Sequence, residues 1–392
     1  MSELTRREFV RQALLVAGFA AGPQSTYGAT VTLPGKPKLR VLNDRPWNAE
    51  ALPHQLDPEV TPTEVFFVRN NGIPPLRVNV NDWRLRIDGE SVQREIDLSI
   101  RDLKRRYDQV SLQLLIECGG NGRAEFNPPV PGNQWTLGAV GCPMFHGVRL
   151  RDVLEDAGVK QDAVYIGFRG ADTHLSGVSD VLPISRGVPI AKALADDAMI
   201  AWGMNGNDLH PMNGHPLRLV IAGWPGSVSG KWLTGISVRN RVHDGPKMGG
   251  KSYRVPRQPI APGTTVADDD MKIIEAMPVK SLITYPETGL RHRKENELQV
   301  RGHAWAGDRL VKRVQLSIDF GQRWQDVTLE APRNSGAWQR FSGTVNFAQS
   351  GYHEVWAKAI DEKGVGQPMV LPGWNPKGYL NNACHRIATH VV

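Results

Sequence analysis

The hydrophobic pattern of this chain changes once, across a segment rich in proline, glycine and aspartate. From Val65 to about Arg254, short strand-like runs mix with helical stripes, which is typical of an α+β domain. Residues 256–270 show no periodicity and predict a linker. Beyond the linker, short runs of alternating apolar and polar residues predict an all-β, immunoglobulin-like sandwich. The chain therefore predicts two domains, over residues 30–255 and 271–392.

Individual elements can be predicted within both domains. Apolar residues from Leu150 to Ala157 form one helical stripe, and Gly158 closes it. Residues 163–168 and 217–222 predict strands. In the second domain we predict a strand with four apolar residues on one face, a turn at Gly321, and further strands over 324–329, 338–347 and 352–360. The four apolar residues are Val314, Leu316, Ile318 and Phe320.

The N-terminus has the layout of a twin-arginine secretion signal. Arg6 and Arg7 precede an apolar stretch over residues 13–21, and small residues follow through Ala29. That stretch is too short to span a membrane, and no later stretch is long enough. We expect residues 1–29 to direct export to the periplasm, with no membrane span in the mature protein. A soluble amphipathic N-terminal helix is the alternative.

Charge and cysteine spacing narrow the classes of partner and site. A formal net charge of +7 suits anionic partners, but no basic stripe carries interleaved aromatic residues, so we expect no nucleic-acid binding. Cys118, Cys142 and Cys384 form no CxxC motif, which disfavours a disulfide framework and a thiolate zinc site.

Cys118 is the candidate on which the chemistry depends. It ends a β-like run over residues 112–117 and enters a loop containing Gly119, Gly120 and Gly122, which permit positive φ and close backbone approach. From this segment alone, two interpretations stay open. The residue is either a small buried core side chain or a thiol held beside exposed amides.

Other segments carry polar residues that suit an anion site. Arg69 ends an apolar run, Arg123 lies in the Cys118 loop, and Arg218 begins an apolar strand. The small residues 226–230 precede Lys231. Small residues let a backbone approach a phosphate, and arginine or lysine supplies the countercharge. No GxxxxGK[ST] motif is present, so a nucleotide P-loop is not expected.

In their order and context these segments resemble the sulfite oxidase family of molybdenum enzymes, over nearly the whole mature chain. FFVRNN (66–71) is similar to the family's FFVRNH segment, ECGGNGR (117–123) to its CAGNRR loop, and WTLGAVGCPMFHGVRLRDVL (135–154) to its tryptophan-bearing stretch ending in GxRLRDVL. MNGNDLHPMNGHPLRL (204–219) and KWL (231–233) resemble its MNGxxLxxxHGxPxRx and KWL region. GHAWAG (302–307), SIDFGQRW (317–324) and YLNNACHR (379–386) resemble GYAWSGG, SxDGGxTW and LSNAWHR.

The resemblance implies a sulfite oxidase-type molybdopterin-binding domain followed by an immunoglobulin-like dimerisation domain. It implies one mononuclear molybdenum with one pyranopterin, and Cys118 as the metal ligand, for which a soft thiolate is suitable. By position, the anion pocket would comprise Arg69, Arg123, Trp135, Tyr253 and Arg340. The implied cofactor contacts are Asn71, Cys118, Asn213, His215, Arg218, Ser227, Ser229 and Lys231.

The chain also departs from the family pattern. Asn71 and Asn213 stand where many members have histidine, and Gly122 replaces an arginine of the CAGNRR loop. Nothing between residues 30 and 64 has the length or paired histidines of the b5-type haem domain of animal members, and no CxxCH motif occurs. We therefore expect no haem and an external electron acceptor, a small c-type cytochrome.

Three functions remain open at this point. The resemblance first implies a periplasmic, haem-free sulfite dehydrogenase that oxidises sulfite to sulfate and forms a homodimer. The alternative is a sulfane dehydrogenase of thiosulfate oxidation, which processes sulfur carried on a partner protein, because those members share an NGxPLRLV, GWxG and KWL stretch with residues 213–233. The third reading is a non-catalytic secreted binding module.

Overall fold

Strands dominate the molecule, and its helices are few and short. The computed structural model describes residues 32–178 and 180–392, so the predicted signal over residues 1–29 lies outside the described residues. Within the described part, the α-helices are α1 (Ile100–Arg106), α2 (Leu150–Ala157) and α3 (Ile190–Ala193). None of these described helices has the length and apolar character needed to cross a membrane.

The first half of the chain builds several small sheets. Its strands are β1 (Arg40–Asp44), β2 (Trp47–Glu50), β3 (Val68–Arg69), β4 (Arg84–Asp88), β5 (Ile96–Ser99), β6 (Gln109–Gln113), β7 (Ile116–Glu117), β8 (Val140–Gly141), β9 (Met144–Arg149), β10 (Tyr165–Gly170), β11 (Gly187–Pro189), β12 (Ala198–Met204), β13 (Asn207–Asp208), β14 (Arg218–Ile221) and β15 (Leu233–Arg239). The two larger sheets have the orders β11-β10-β15-β4-β5 and β13-β12-β9-β6, and β14 pairs with β12. Smaller sheets are β1-β2-β3 and β7-β8.

Helix α2 shows how the apolar pattern becomes packing. Its buried residues Leu150, Val153, Leu154 and Ala157 follow the 3.6-residue period and join the apolar core that the two larger sheets share. Gly158 then ends the helix with φ 75°, a conformation that glycine adopts without strain. The predicted helix is therefore confirmed together with its terminator.

The segment predicted as a linker closes a short ribbon. Strand β16 (Arg254–Pro256) pairs antiparallel with β17 (Met271–Ile273), so the residues between them form a loop that returns to its starting point. Apart from a single 3₁₀ turn, Asp268–Asp270, the loop has no regular structure. The two halves of the chain belong to one compact unit, Leu33–Val392.

The second half is a β-sandwich. Its strands are β18 (Lys280–Tyr285), β19 (Leu290–His292), β20 (Leu298–Trp305), β21 (Val311–Ser317), β22 (Gln325–Asp326), β23 (Thr328–Leu329), β24 (Gln339–Val345), β25 (Gly351–Asp361) and β26 (His385–Val391). They form the sheets β18-β20-β24-β23 and β19-β26-β25-β21-β22. Buried residues of both sheets share one apolar core, which includes Val300, Val314, Phe341 and Val355.

One predicted core position in the sandwich is wrong. Val314 and Leu316 are buried, but β21 ends at Ser317, and Phe320 lies in the following turn with φ 58° and 57% of its surface exposed. The chain turns before the alternation can place Phe320 on the core face. The predicted strand over 324–329 is also divided, because β22 pairs with β21 of one sheet and β23 with β24 of the other.

Candidate active site

Most of the predicted site residues line one pocket of the first domain. They come from strand ends and loops that are far apart in sequence: Arg69, Asn71, Cys118, Asn213, Arg218, Ser227, Ser229, Lys231 and Tyr253. The apolar wall includes Phe66, Phe67, Ile116 and Phe168. A concave site with an apolar wall and converging polar groups is the usual form of a ligand pocket.

Cys118 enters this pocket from a tightly built loop. Strand β7 ends at the preceding residue, and the Cys118 amide donates to the carbonyl of Ala139 at 2.9 Å. The loop turns at Gly122, with φ 86°. At Gly120 a β-carbon would lie 2.2 Å from Nη2 of Arg123, so only glycine fits without displacing that side chain. The thiol is 6% exposed and faces the pocket.

A buried ion pair anchors the same loop to the sandwich. Glu117 accepts from Nζ of Lys280 at 3.0 Å and from Nε1 of Trp305 at 2.8 Å, both in the second half of the chain. Asn121 Nδ2 donates to the same carboxylate at 3.0 Å. Glu117 is 1% exposed and Lys280 4%, so the pair is shielded from water and its partners fix the position of the loop.

Three donors converge on one oxygen in the pocket. Oδ1 of Asn71 accepts from Nζ of Lys247 at 2.7 Å, from Nη2 of Arg69 at 3.0 Å and from the phenol of Tyr253 at 3.4 Å. Burial alone raises the pKa of Tyr253, but the charges of Arg69 and Lys247 outweigh it and lower the pKa below its ordinary value. Two cations and a polarised phenol therefore surround a single acceptor atom of the pocket lining.

Around Arg218 and Lys231 the pocket concentrates positive charge without a matching number of carboxylates. Burial lowers the pKa of Lys231 well below its ordinary value, with a further contribution from Arg218, and burial lowers that of Arg218 to about 9. Nearby Lys36 is fully buried, and burial lowers its pKa to about 7. Asp172 is the acidic residue of the pocket lining, and burial raises its pKa to about 6.

Several buried polar atoms around this cationic end have no protein partner. They are Nε of Arg218, Oδ1 of Asn213 and the hydroxyl of Ser227. Their residues line the pocket, whereas other atoms of the same residues are bonded: Arg218 Nη1 donates to the Asn213 carbonyl at 3.0 Å, and Asn213 Nδ2 donates to the Phe67 carbonyl at 3.1 Å. Buried polar groups rarely lack a partner, so these atoms fit a bound polar ligand that carries an anion.

The donor set also fits a cofactor that brings its own metal ligands. Across residues 32–178 and 180–392, no three His, Cys, Asp or Glu side chains lie together as a metal-binding group. Cys118 therefore offers one thiolate, and a metal bound there needs further ligands from a cofactor. A pyranopterin dithiolene with a phosphate supplies both sulfur ligands and an anion for the Arg218 and Lys231 end.

Two predicted anion-pocket residues lie behind the pocket wall. Arg123 donates from Nε to the carbonyl of Lys377 at 2.7 Å and from Nη1 to that of Asn133 at 2.9 Å, and its guanidinium lies over the Tyr379 ring. Trp135 is fully buried and packs edge-on against Phe67, and its Nε1 has no partner. The structure does not bring either side chain into the pocket lining.

Arg340 and His215 also lie outside the lining. Arg340 is on β24, opposite His303 of β20, where its charge acts on Asp57 and His303. His215 follows the 3₁₀ turn Pro211–Asn213 and is half-buried beside the pocket rather than in its lining. Asn213 occupies the lining position in that segment.

Sequence reasoning missed three residues that shape the site. Lys36, Asp172 and Lys247 come from segments that carry none of the motifs. Asp172 and Lys247 belong to irregular loops, and Lys36 lies in the N-terminal arm, so no periodicity marks them. A lysine between prolines, as in Pro34 to Pro37, was the one available signal for Lys36, and it is weak.

Two family models match the chain in sequence. Residues 71–247 match the "Oxidoreductase molybdopterin binding domain", and residues 271–392 match the "Mo-co oxidoreductase dimerisation domain". The first range contains most of the pocket residues, and the second coincides with the sandwich.

Curated proteins and solved structures are similar over nearly the whole chain. Sulfite oxidase of Gallus gallus is 33% identical over 368 residues, which cover 90% of this chain and 78% of the relative. Mitochondrial sulfite oxidase of Rattus norvegicus is 32% identical over 372 residues, and the chain spans 66% of that protein's length. Among solved structures, the sulfane dehydrogenase SoxCD from Paracoccus pantotrophus matches with a TM-score of 0.74 and 25% identity, over 94% of this chain and 92% of the other.

Proposed function

The chain belongs to the sulfite oxidase family of molybdenum enzymes, and from that premise we propose that it oxidises sulfite to sulfate at a mononuclear molybdenum centre with one pyranopterin. The observation that carries the proposal is the convergence of Arg69, Lys247 and Tyr253 on Asn71 Oδ1, in the pocket that Cys118 also faces. Two cations and a phenol suit a small oxyanion with several acceptor oxygens.

Each residue of the site has a separate role in the proposed reaction. Sulfite gains one oxygen atom from water and releases two electrons and two protons. When bound, the molybdenum cofactor supplies the oxygen transfer and accepts the electrons. Arg69 and Lys247 hold the anion by charge, and Tyr253 donates a hydrogen bond to one of its oxygens. Cys118 would hold the metal as a thiolate and would take no part in attack on the substrate.

Holding the cofactor falls to the cationic end of the pocket. Arg218 has an unused Nε, Ser227 an unused hydroxyl, and Lys231 a buried ammonium group. A phosphate placed there would receive charge-assisted hydrogen bonds and would return the buried cations to their ordinary charge state. Asn213, with its unpaired Oδ1, would accept from a pterin N–H in the position where many relatives have histidine.

The decisive experiment measures turnover and metal together. Wild-type protein matured with its cofactor should contain stoichiometric molybdenum and reduce ferricyanide or cytochrome c when sulfite is added. Cys118→Ser should lose both molybdenum and turnover. Cys384→Ser is the matched control, because that thiol is also 6% exposed but lies in the sandwich, and it should keep both. Molybdenum-loaded wild type that does not turn over sulfite would contradict the proposal.

A sulfane dehydrogenase activity is the second candidate. It is favoured by the likeness to the SoxCD structure, which extends over 94% of the chain. The two candidates differ in substrate, since one acts on free sulfite and the other on a sulfur atom carried by a partner protein. Turnover with a sulfur-loaded carrier protein but not with sulfite would establish the second. A secreted binding module without catalysis would show neither activity and no molybdenum.

Location and partners follow from the same proposal. Arg6 and Arg7 direct export, and the enzyme works in the periplasm. It carries no haem of its own and passes its electrons one at a time to a small c-type cytochrome. Replacing both arginines with lysine should leave the protein in the cytoplasm of a bacterial host, as fractionation would show. Periplasmic accumulation of that variant would refute this route.

We also place a homodimer on the second domain. The support is the match of residues 271–392 to a dimerisation domain and the exposed apolar side chains of the sandwich, such as Phe320 and Tyr352. Light scattering across a range of protein concentrations should give the mass of two chains. A monomer at every concentration would exclude this assembly.

A further inference from the structure

Arg186 is a buried cation whose role the reaction described above leaves open. It lies just before strand β11, and 1% of its surface is exposed. Neither Nε nor Nη1 of its guanidinium has a hydrogen-bond partner. Its main chain is occupied in the sheet, where its carbonyl accepts from the amide of Phe168 at 2.9 Å. This backbone hydrogen bond would form with any residue at position 186, so it does not explain why a charged side chain is buried there.

The titratable groups whose charge acts on this guanidinium are three phenols and a second cation. Burial lowers the pKa of Arg186 to about 10, while Tyr253, Tyr165 and Tyr379 raise it and Arg254 lowers it further. No carboxylate is among them. At neutral pH Arg186 thus remains charged, and among residues 32–178 and 180–392 it contacts the Tyr253 ring and forms no salt bridge.

Tyr253 is the ring with which Arg186 makes its closest aromatic contact. The guanidinium carbon lies 4.6 Å from the centre of the Tyr253 ring. The ring of Tyr379 is stacked on Tyr253 at 5.6 Å, with 17° between the planes. Tyr253 has φ 52°, a backbone conformation that side-chain-bearing residues adopt rarely, so its neighbours must hold it there.

Resting on the proposed function, we infer that Arg186 is a positioning residue that acts on the bound oxyanion through Tyr253. Its guanidinium holds the ring so that the phenol points at the acceptor position shared with Arg69 and Lys247. A positive charge over the ring also makes the phenol a stronger hydrogen-bond donor. Arg186 itself does not line the pocket and does not touch the anion.

A purely structural role would not need this charge. Burying an unpaired guanidinium carries a desolvation cost, and a methionine of similar length would fill the space without it. A structural role predicts that Arg186→Met keeps or raises the melting temperature and leaves the kinetics alone. The positioning role predicts that the same variant keeps its fold and loses anion affinity.

The experiment compares Arg186→Met and Arg186→Lys with wild type. In Arg186→Met the KM for sulfite should rise about 3- to 30-fold, the factor that a buried cation–π contact is worth, while kcat changes less than about twofold. The Kd for sulfate, measured by calorimetry, should rise by a similar factor, and Arg186→Lys should recover part of the loss. An unchanged KM and Kd in folded Arg186→Met would overturn the inference.

The Tyr253→Phe variant and a control variant distinguish this positioning role from a general loss of stability. In Tyr253→Phe, which lacks the phenol, adding Arg186→Met should leave KM and Kd unchanged. A full additional loss in that background means that Arg186 does not act through Tyr253. Arg239→Met removes a partly buried guanidinium that is paired with Glu90 and Asp244 and does not belong to the pocket lining, and it should leave KM unchanged. If wild type lacks sulfite turnover, the proposed function fails, and the sulfate titrations still decide the role of Arg186.

Discussion

Two buried clusters of charge border Cys118, and they differ in how the charge is balanced. Glu117 and Lys280 form a complete pair, with Trp305 and Asn121 supplying the remaining hydrogen bonds. Around Lys231 the cations outnumber the carboxylates, and polar atoms of neighbouring residues have no partner. The charges and hydrogen bonds of the first cluster are satisfied within the protein, whereas the second cluster has unsatisfied donors that an anionic ligand would bind under the proposed function.

With the proposed function, the difference separates residues that stabilise the fold from residues that would bind the cofactor. A buried pair with all its hydrogen bonds made stabilises the loop that carries the thiol, because removing either partner strands a charge. A buried cation without a partner destabilises the protein until a ligand binds, and the binding energy of the anion offsets that cost. Different responses to equivalent substitutions should therefore distinguish the clusters.

The largest effect is expected for Lys280→Met. This change leaves the Glu117 carboxylate buried without its cation, and the free energy of unfolding should fall by about 3–5 kcal/mol. Urea denaturation of the cofactor-free protein measures it. The double variant Glu117→Gln with Lys280→Met carries no stranded charge and should recover part of the loss. A single variant that loses less than about 1 kcal/mol would show that the pair does not anchor the loop.

The same substitution at Lys231 should behave differently. Lys231→Met removes a buried cation that forms no salt bridge among the described residues, but it also leaves Oδ1 of Asn70 and the Met212 carbonyl without their donor, so the cofactor-free protein should lose less stability than with Lys280→Met. The loss of charge-assisted bonds should instead weaken cofactor binding by about 1.5–3 kcal/mol, or tenfold and more. Pterin fluorescence after dialysis measures retention. Cofactor retention equal to wild type would remove Lys231 from the binding site.

The contrast between the clusters also marks what the sequence could predict. Cys118, Arg69 and Lys231 belong to ordered motifs at strand ends, so local pattern and family resemblance were enough to select them. The sandwich and the α2 stripe followed from periodicity in the same way. The prediction that Phe320 lies on the core face of the strand was wrong because β21 ends at Ser317, and the alternation of apolar residues does not show where a strand ends.

The missed residues depend on contacts between distant segments. Asp172 lines the pocket from one irregular loop, and Lys247 reaches the lining residue Asn71 from another. Lys36 comes from the segment before β1 and donates to the Phe66 carbonyl at 2.8 Å. The Glu117 and Lys280 pair joins residues 163 positions apart. Such pairs leave no local signature, so tertiary structure is needed to see them.

A pH experiment tests the unbalanced cluster through Lys36. Its pKa is about 7 in the folded protein because of burial, against about 10.4 in an unfolded chain, so the unfolded state binds more protons between those values. Stability of the cofactor-free protein should therefore rise with pH, by roughly 2 kcal/mol from pH 7 to pH 9 for this residue. Lys36→Met should remove that increment in urea denaturation at both pH values. An unchanged pH dependence would mean that Lys36 is not held as a buried unpaired cation.

The smallest effect is expected for Arg340→Gln, and it tests the limits of the pocket itself. Arg69 and Arg340 were both predicted to bind the oxyanion, but the structure brings only Arg69 of these two into the described pocket lining, while Arg340 faces Asp57 and His303. We expect Arg340→Gln to change kcat/KM by less than about twofold, as substitutions away from a site do. Arg69→Gln is the matched variant and should raise the KM for sulfite about tenfold or more, since it loses a charge-assisted contact. An equal rise in KM for both variants would contradict this expectation. It would show that Arg340 contacts the bound anion, although it lies outside the pocket lining in the structure.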